Sequence, residues 1–273
     1  TASIASYAQK KPLDYTVYDS WQALGSTGLS KKGDKVFYQV SPQEGDGILY
    51  LKNDKNETLS TLPRASNPKF SADDSHLVSM ISPLYKDTRK ARIDKKKRDE
   101  MPKDSLGIYS FATKSWVKIP QVKSYQLPED NARYLVYLFD EVAEPAKKPA
   151  GDSTKVKSAP AKPKKPSTNL SVYLLGSGKD TVFTQVESYE IDKKGTSLVF
   201  VRKPQEKDST GKTGGVFRYD LAARTLKQIS SGKGTFKGFT FDETGSKLVY
   251  LGDRTPEKEQ IKDFKVYHHS GAD

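Results

Sequence analysis

A two-part pattern recurs five times along this chain, and it limits the possible folds more than any other feature. The first part is an apolar residue, a polar turn, and an apolar pair beginning seven residues later. It reads Leu29-Ser-Lys-Lys-Gly-Asp-Lys-Val36-Phe37, Phe70-Ser-Ala-Asp-Asp-Ser-His-Leu77-Val78 and Leu127-Pro-Glu-Asp-Asn-Ala-Arg-Tyr134-Leu135. It returns as Ile191-Asp-Lys-Lys-Gly-Thr-Ser-Leu198-Val199 and Phe241-Asp-Glu-Thr-Gly-Ser-Lys-Leu248-Val249. The second part is a short strand around a tyrosine (Tyr50, Tyr109, Tyr173, Tyr219, Tyr267), then a turn and one more strand. Repeats of ~40–50 residues built from short strands are the mark of a β-propeller.

Each first part reads as a hairpin turning through Gly, Asp, Asn or Ser. The re-entering strands include Leu77-Val-Ser-Met-Ile81, Tyr134-Leu-Val-Tyr-Leu-Phe139 and Leu198-Val-Phe-Val201. They are apolar continuously rather than alternately, which is expected when both faces are covered by neighbouring blades. Third strands follow at Gly47-Ile-Leu-Tyr-Leu51, Gly107-Ile-Tyr-Ser-Phe111 and Gly215-Val-Phe-Arg-Tyr219; fourth strands at Trp116-Val-Lys-Ile119 and Leu226-Lys-Gln-Ile229. The predicted fold is therefore all-β: a partial β-propeller of four-stranded antiparallel blades over 15–273, with four blades and most of a fifth. The last residues fall where the fifth copy should enter its final strand, which predicts a longer parent protein. Plentiful Tyr and Phe, scarce Met and the lack of strong helical periodicity agree with strands.

The leading apolar residues are spaced by 41, 57, 64 and 50 residues. Two insertions account for most of the excess, each between the second and third strands of its blade. One is the basic segment 86–104. The other, 142–168, holds Pro145, Pro149, Pro160, Pro163 and Pro166 among Ala, Lys, Ser and Thr, and reads as a disordered, partly extended loop. Insertions at matching positions emerge on one face of a repeat protein, often the binding face.

The net charge of +12 invites a nucleic-acid reading, but its location argues against one. Residues 86–98 carry eight bases and two acids, and 141–168 carry seven Lys against three acids, so these segments hold all but two of the net charges. Neither interleaves aromatics for base stacking, so solvated loops are the simpler account and no nucleic-acid partner is assigned. There is no cysteine, hence no disulfide framework and no thiol chemistry. In segment 1–14, small residues at Ser6 and Ala8 resemble the end of a secretory signal peptide; an ordinary flexible N-terminus is the alternative. A periplasmic or secreted location is the expectation. No stretch approaches the ~20 apolar residues of a membrane span.

Motifs for chemistry were sought and are not met. No G-x-S-x-G pentad occurs for a hydrolase nucleophile. His76 falls in a hairpin turn, and the adjacent His268 and His269 would point to opposite faces of a strand, a poor shared metal site. Gly211-Lys212-Thr213 resembles the end of a phosphate loop, but Glu206 stands where that loop needs glycine. Asp99-Glu100 and Glu129-Asp130 read as solvated turns, and no segment matches an EF-hand loop. No catalytic, cofactor-binding or metal-ligating residue is assigned, and no cofactor is expected.

Two stretches narrow the reading: Val40-Ser-Pro-Gln-Glu-Gly-Asp-Gly-Ile-Leu-Tyr50 and Asp87-Thr-Arg-Lys-Ala-Arg-Ile-Asp-Lys-Lys-Lys-Arg-Asp-Glu-Met-Pro-Lys-Asp-Ser-Leu-Gly107. With the opening Asp19-Ser-Trp21, they resemble the N-terminal region of the prolyl oligopeptidase family of serine peptidases, most of all large exported members from Bacteroidetes-type bacteria. The resemblance runs from about Tyr15 to the end, with 142–168 a variable insertion. It implies a propeller that precedes a C-terminal α/β-hydrolase domain holding the Ser-Asp-His triad, covers the active site and admits only short peptides. None of the triad transfers to this chain. Some relatives hold the peptide N-terminus with a pair of propeller glutamates, and no Glu-Glu pair exists here. Arg89 and Arg92 lie in the blade-two insertion and are candidates for facing a peptide path; a solvated loop is the simpler reading of the charge run.

The expected function is that of an access gate and substrate filter for a peptidase that hydrolyses short peptides. The partners are the chain's own hydrolase domain and peptide substrates. The alternative is a stand-alone propeller resembling TolB, a periplasmic interaction protein without chemistry. The hairpin motifs fit it equally well, while stretches 40–50 and 87–107 do not. A carbohydrate-binding propeller would need an aromatic platform, which is not evident.

Overall fold

In a computed structural model, the described residues are 17–18, 21–140, 168–204, 208, 210–255, 259 and 261–271. Segments 1–14 and 142–167 therefore lie outside the described residues. Strands β1 (Gln22–Leu29), β2 (Lys35–Pro42), β3 (Ile48–Asn53) and β4 (Thr58–Pro63) form the first antiparallel sheet. The second holds β5 (Ala65–Phe70), β6 (His76–Ile81), β7 (Ser105–Ser110) and β8 (Ser115–Pro120). The third holds β9 (Val122–Gln126), β10 (Tyr134–Phe139), β11 (Asn169–Leu174) and β12 (Lys179–Thr184). The fourth holds β13 (Val186–Ile191), β14 (Ser197–Arg202), β15 (Gly215–Asp220) and β16 (Thr225–Ser231). A fifth contains β17 (Thr235–Phe241), β18 (Lys247–Asp253) and β19 (Lys265–Ser270). Each sheet is a meander in chain order, as a partial propeller requires. First strands of neighbouring sheets touch (β1 with β5, β13 with β17), so first strands face a common axis and fourth strands lie outermost.

The continuously apolar second strands bury both faces, each against a different blade. Along β10, Tyr134, Val136 and Leu138 pack towards the fourth sheet, while Leu135 and Tyr137 pack towards the second. Along β14, Leu198 and Phe200 face the third sheet, and Val199 and Val201 face the fifth. The period of two is present, but both of its phases are apolar. The core is thus four clusters, one at each interface between consecutive sheets.

The repeated polar turn has a common construction. Its first residue caps the returning strand: Ser30 Oγ, Ser71 Oγ, Asp192 Oδ1 and Asp242 Oδ1 accept the N–H of Lys35, His76, Ser197 and Lys247 at 2.7–3.0 Å. Its fourth residue is left-handed, with φ of 74°, 61°, 64° and 72° at Gly33, Asp74, Gly195 and Gly245. Gly and Asp are the types that tolerate this conformation best. The third blade departs, with Pro128 at the first position and Asn131 accepting the Arg133 N–H at 2.8 Å. Turns also hold one another: the Asp74 carboxylate accepts the N–H groups of Lys31 and Lys32 from the preceding blade, both at 3.0 Å.

Passage between the first four blades takes one residue each time, and passage from the fourth to the fifth takes three, 232–234. Arg64, Gln121 and Gln185 sit at φ 62°, 59° and 61° between a fourth strand and the next first strand. Their carbonyls accept the N–H of Ser82, Asp140 and Lys203, each just past the second strand of the new blade, at 2.9, 2.7 and 2.8 Å. Those bonds offset the cost of about 1 kcal/mol or more for a side chain in the left-handed region.

Helix α1 (Tyr85–Ile93) and a short 3-10 turn (Arg98–Glu100) lie between β6 and β7, where the charge run reads as a solvated loop. Only Ala91 of α1 is buried, so its sequence carries no apolar stripe to announce a helix. Tertiary contacts supply what the stripe lacks. Asp46 Oδ1 accepts the Tyr85 N–H at 2.9 Å, and the Tyr85 hydroxyl reaches Glu44 Oε2 at 3.1 Å, both from the β2–β3 loop of the first blade. His76 also differs from its sequence reading: it is the first residue of β6, paired with Ser110, and not a turn residue. His268 and His269 lie within β19 itself.

Buried tyrosines latch neighbouring blades. Tyr125 Oη donates to Val78 O at 3.1 Å and to Asn67 O, and Tyr134 Oη donates to Leu221 O at 3.0 Å. Burial raises the phenols of Tyr125 and Tyr189 far above the ordinary value, and raises to about 12 that of Tyr137, whose hydroxyl bonds Asp180 within its own blade at 3.1 Å. A folded pKa above the unfolded one means that the stabilisation is complete below pH 10 and is lost as pH climbs through about 12. The expected result is a urea midpoint that falls steeply above pH 10, with tyrosinate absorbance rising together with loss of the strand circular-dichroism signal. Gradual tyrosinate formation in a still folded chain would contradict this latching role.

Candidate functional site

Antiparallel alternation sends the tight hairpins (β1–β2, β3–β4 and their equivalents) to one face of the propeller. The longer β2–β3-type connections and the blade crossovers go to the other. Each face has an opening.

On the hairpin face, an axial cavity of about 460 Å³ is lined by residues of four blades, among them Lys69, Glu129, Glu190, Lys193, Asp242 and Glu243. Lys193 stands between Glu129 at 3.6 Å and Glu243 at 3.7 Å, and these carboxylates raise its ammonium pKa. The Gln126 amide donates to Glu190 at 2.9 Å. This mouth is acidic and its charges tie blades together.

On the loop face, a cleft of about 470 Å³ opens between the first two blades beneath α1. Three elements build it. The β2–β3 loop contributes Gly45, Asp46 and Gly47; the first crossover contributes Arg64; and α1 with the strand entry beyond it contributes Tyr85, Thr88, Arg89, Arg92 and Asp104. The helix residues recur at i, i+3, i+4 and i+7, which is one helical face. Arg89 and Arg92, read from sequence as candidates for a peptide path, both line the cleft. Arg64 joins them from a crossover, and nothing in its local sequence signals this. Its N–H donates to Gly47 O at 2.7 Å and its guanidinium donates to Ser82 O at 3.1 Å, so the side chain is held along the wall. Arg89 faces Glu44 at 3.6 Å, an exposed pair of little energetic weight. Burial, and then the neighbouring Asp140, raise the Asp104 carboxyl above the ordinary carboxylate range, while Lys103 pairs with Asp140 at 3.2 Å.

The chemistry available is recognition. Guanidinium groups bind carboxylates and phosphates in a forked geometry. Among the described residues, no three His, Cys, Asp or Glu side chains cluster as a metal would require. No helix among them is long and apolar enough to cross a membrane.

No protein-family model matches the chain, and no curated protein matches it. Solved structures do. An acylaminoacyl peptidase in complex with Z-Gly-Gly-Phe-chloromethyl ketone aligns over 94% of this chain and 40% of its own, with a TM-score of 0.50 and 13% identity. The uncomplexed Pyrococcus horikoshii acylaminoacyl peptidase aligns over 93% and 39%, with a TM-score of 0.48 and 12% identity. The β-propeller domain of the Trilobed protease from Pyrococcus furiosus, described as having an open velcro topology, aligns over 92% and 70%, with a TM-score of 0.48 and 14% identity. At these identities the likeness concerns the fold, and together with the blade-by-blade packing it defines this chain as a partial β-propeller. The chain spans about two fifths of the length of the two acylaminoacyl peptidases.

Proposed function

We propose that this chain is the N-terminal propeller of an exported serine peptidase of the prolyl oligopeptidase type, and that it gates access to a following α/β-hydrolase domain. One observation carries the reading. The two stretches that resemble that family, 40–50 and 87–107, are far apart in sequence, yet both contribute walls of the loop-face cleft. Two resembling stretches that converge on one opening are better explained by a common task than by blade packing, because the hairpins and strands would pack without them. The peptidase propellers of similar fold support the same reading. In this proposal the chain selects peptides by size and contact, and nucleophile and base belong to the hydrolase domain. Export rests on the small-residue pattern at Ser6 and Ala8.

The test is the coding sequence beyond the Asp273 codon. Further blades followed by G-x-S-x-G, with a later Asp and His, are the expected result. A stop after two or three more blades would overturn the peptidase and leave a binding propeller of the TolB-like kind.

A further inference from the structure

We infer that the loop-face cleft is a binding site for the free C-terminal carboxylate of a short peptide, held by Arg64 and Arg92 with Arg89 at its rim. The reading above enters only in choosing a peptide as the bearer of the carboxylate.

Some of the charges at the cleft are already committed. Asp46 caps the start of α1 through the Tyr85 N–H at 2.9 Å. Glu44 accepts the Tyr85 hydroxyl and faces Arg89. Neither Arg64 nor Arg92 has an ion-pair partner among the described residues. Two guanidinium groups without carboxylate partners, one anchored on a crossover and one on a helix face, thus converge on one concavity. The cleft offers about 470 Å³, within the range of small-ligand sites and ample for a few residues of peptide.

Charge balance selects the anion. Three arginines line the cleft with Asp46 and Asp104, and Glu44 faces Arg89 at the rim, so the fixed charges balance. A monoanion therefore adds the least uncompensated charge. A phosphate dianion would add twice as much and be repelled by the neighbouring carboxylates. A carboxylate also matches the planar two-toothed geometry of guanidinium.

The experiment is an NMR titration of the ¹⁵N-labelled 273-residue chain, following the arginine side-chain N–H signals. The probes are Ala-Ala-Ala, its C-terminal amide, and inorganic phosphate. Ala-Ala-Ala should shift the Arg64 and Arg92 signals saturably, and the amide should bind about tenfold or more weakly, the loss expected for one charge-assisted hydrogen bond. Arg92→Gln lies on an exposed helix position and should weaken Ala-Ala-Ala about tenfold while leaving the backbone spectrum in place. Arg64→Gln should do the same, and Arg92→Gln decides the matter if that crossover variant is unstable. Equal affinity for tripeptide and amide, an unaffected Arg92→Gln, or displacement of the tripeptide by phosphate would each overturn the site. Because the readout is binding to this chain alone, its failure leaves the downstream triad test untouched, and a stop codon downstream leaves this result standing.

Discussion

Gly215→Ala is expected to destabilise the chain by about 3–5 kcal/mol, a large fraction of the stability of an ordinary domain. Gly215 begins β15 at φ 126°, a region that side chains do not enter without strain. A methyl group there would lie 2.0 Å from the Ser230 carbonyl oxygen and 3.2 Å from the Ser231 Cα. Those atoms belong to the partner strand β16, so relief requires moving β15 and β16 apart where the ladder already carries a bulge between Val216 and Phe217. Val216 and Phe217 would move too, and they serve cores on opposite sides of the blade. The control is Gly33→Ala. Gly33 has φ 74° and nothing within 4 Å of the added methyl group, so only the backbone term of about 1 kcal/mol applies. Urea denaturation of both variants separates the terms. Equal losses would mean that β15 and β16 yield freely and that the close approach carries no energy.

Phe200→Ala should cost about 3–5 kcal/mol. Phe200 is fully buried in β14, at the interface between the third and fourth blades. Its ring centroid lies 4.8 Å from that of Phe183 and 5.7 Å from that of Phe217, in a stacked arrangement with the latter. The Arg202 guanidinium covers the same pair, 4.9 Å from the Phe217 centroid. Truncation removes the transfer free energy of the ring and leaves a cavity between two sheets that are each pinned by their own ladder, so collapse is limited. Val117→Ala, on the exposed outer strand β8, should stay within about 0.5 kcal/mol. A Phe200→Ala loss near that of Val117→Ala would show that the interface between the third and fourth blades is not a cooperative part of the fold.

Some of the molecule was legible because its cause is local. The turn residues Ser30, Ser71, Asp192 and Asp242 cap the strand that follows within five positions, and the left-handed fourth residue needs Gly or a tolerant Asp. These requirements are met by neighbours in the chain, so turn and strand positions could be read before any contact was known. The apolar run 134–139 was legible for a related reason: burial of both phases is a property of one strand, even though the covering blades are remote.

The helix α1 was not legible, because the groups that fix its start, Glu44 and Asp46, belong to another blade. Arg89 and Arg92 could be nominated from their insertion, but Arg64 could not. A lone Arg between Pro63 and Ala65 reads as a connecting residue, and its position beside α1 exists only once the second blade stacks on the first.

By itself, then, the sequence determined the strands, the capped hairpins and their grouping into blades along this chain, since short-range turn chemistry and the recurring apolar runs specify them. Tertiary structure alone decided which loops meet. A crossover at residue 64, a helix at 85–93 and a loop at 43–47 form one cleft because stacking twisted sheets about an axis brings their ends together, and no local preference encodes that distance.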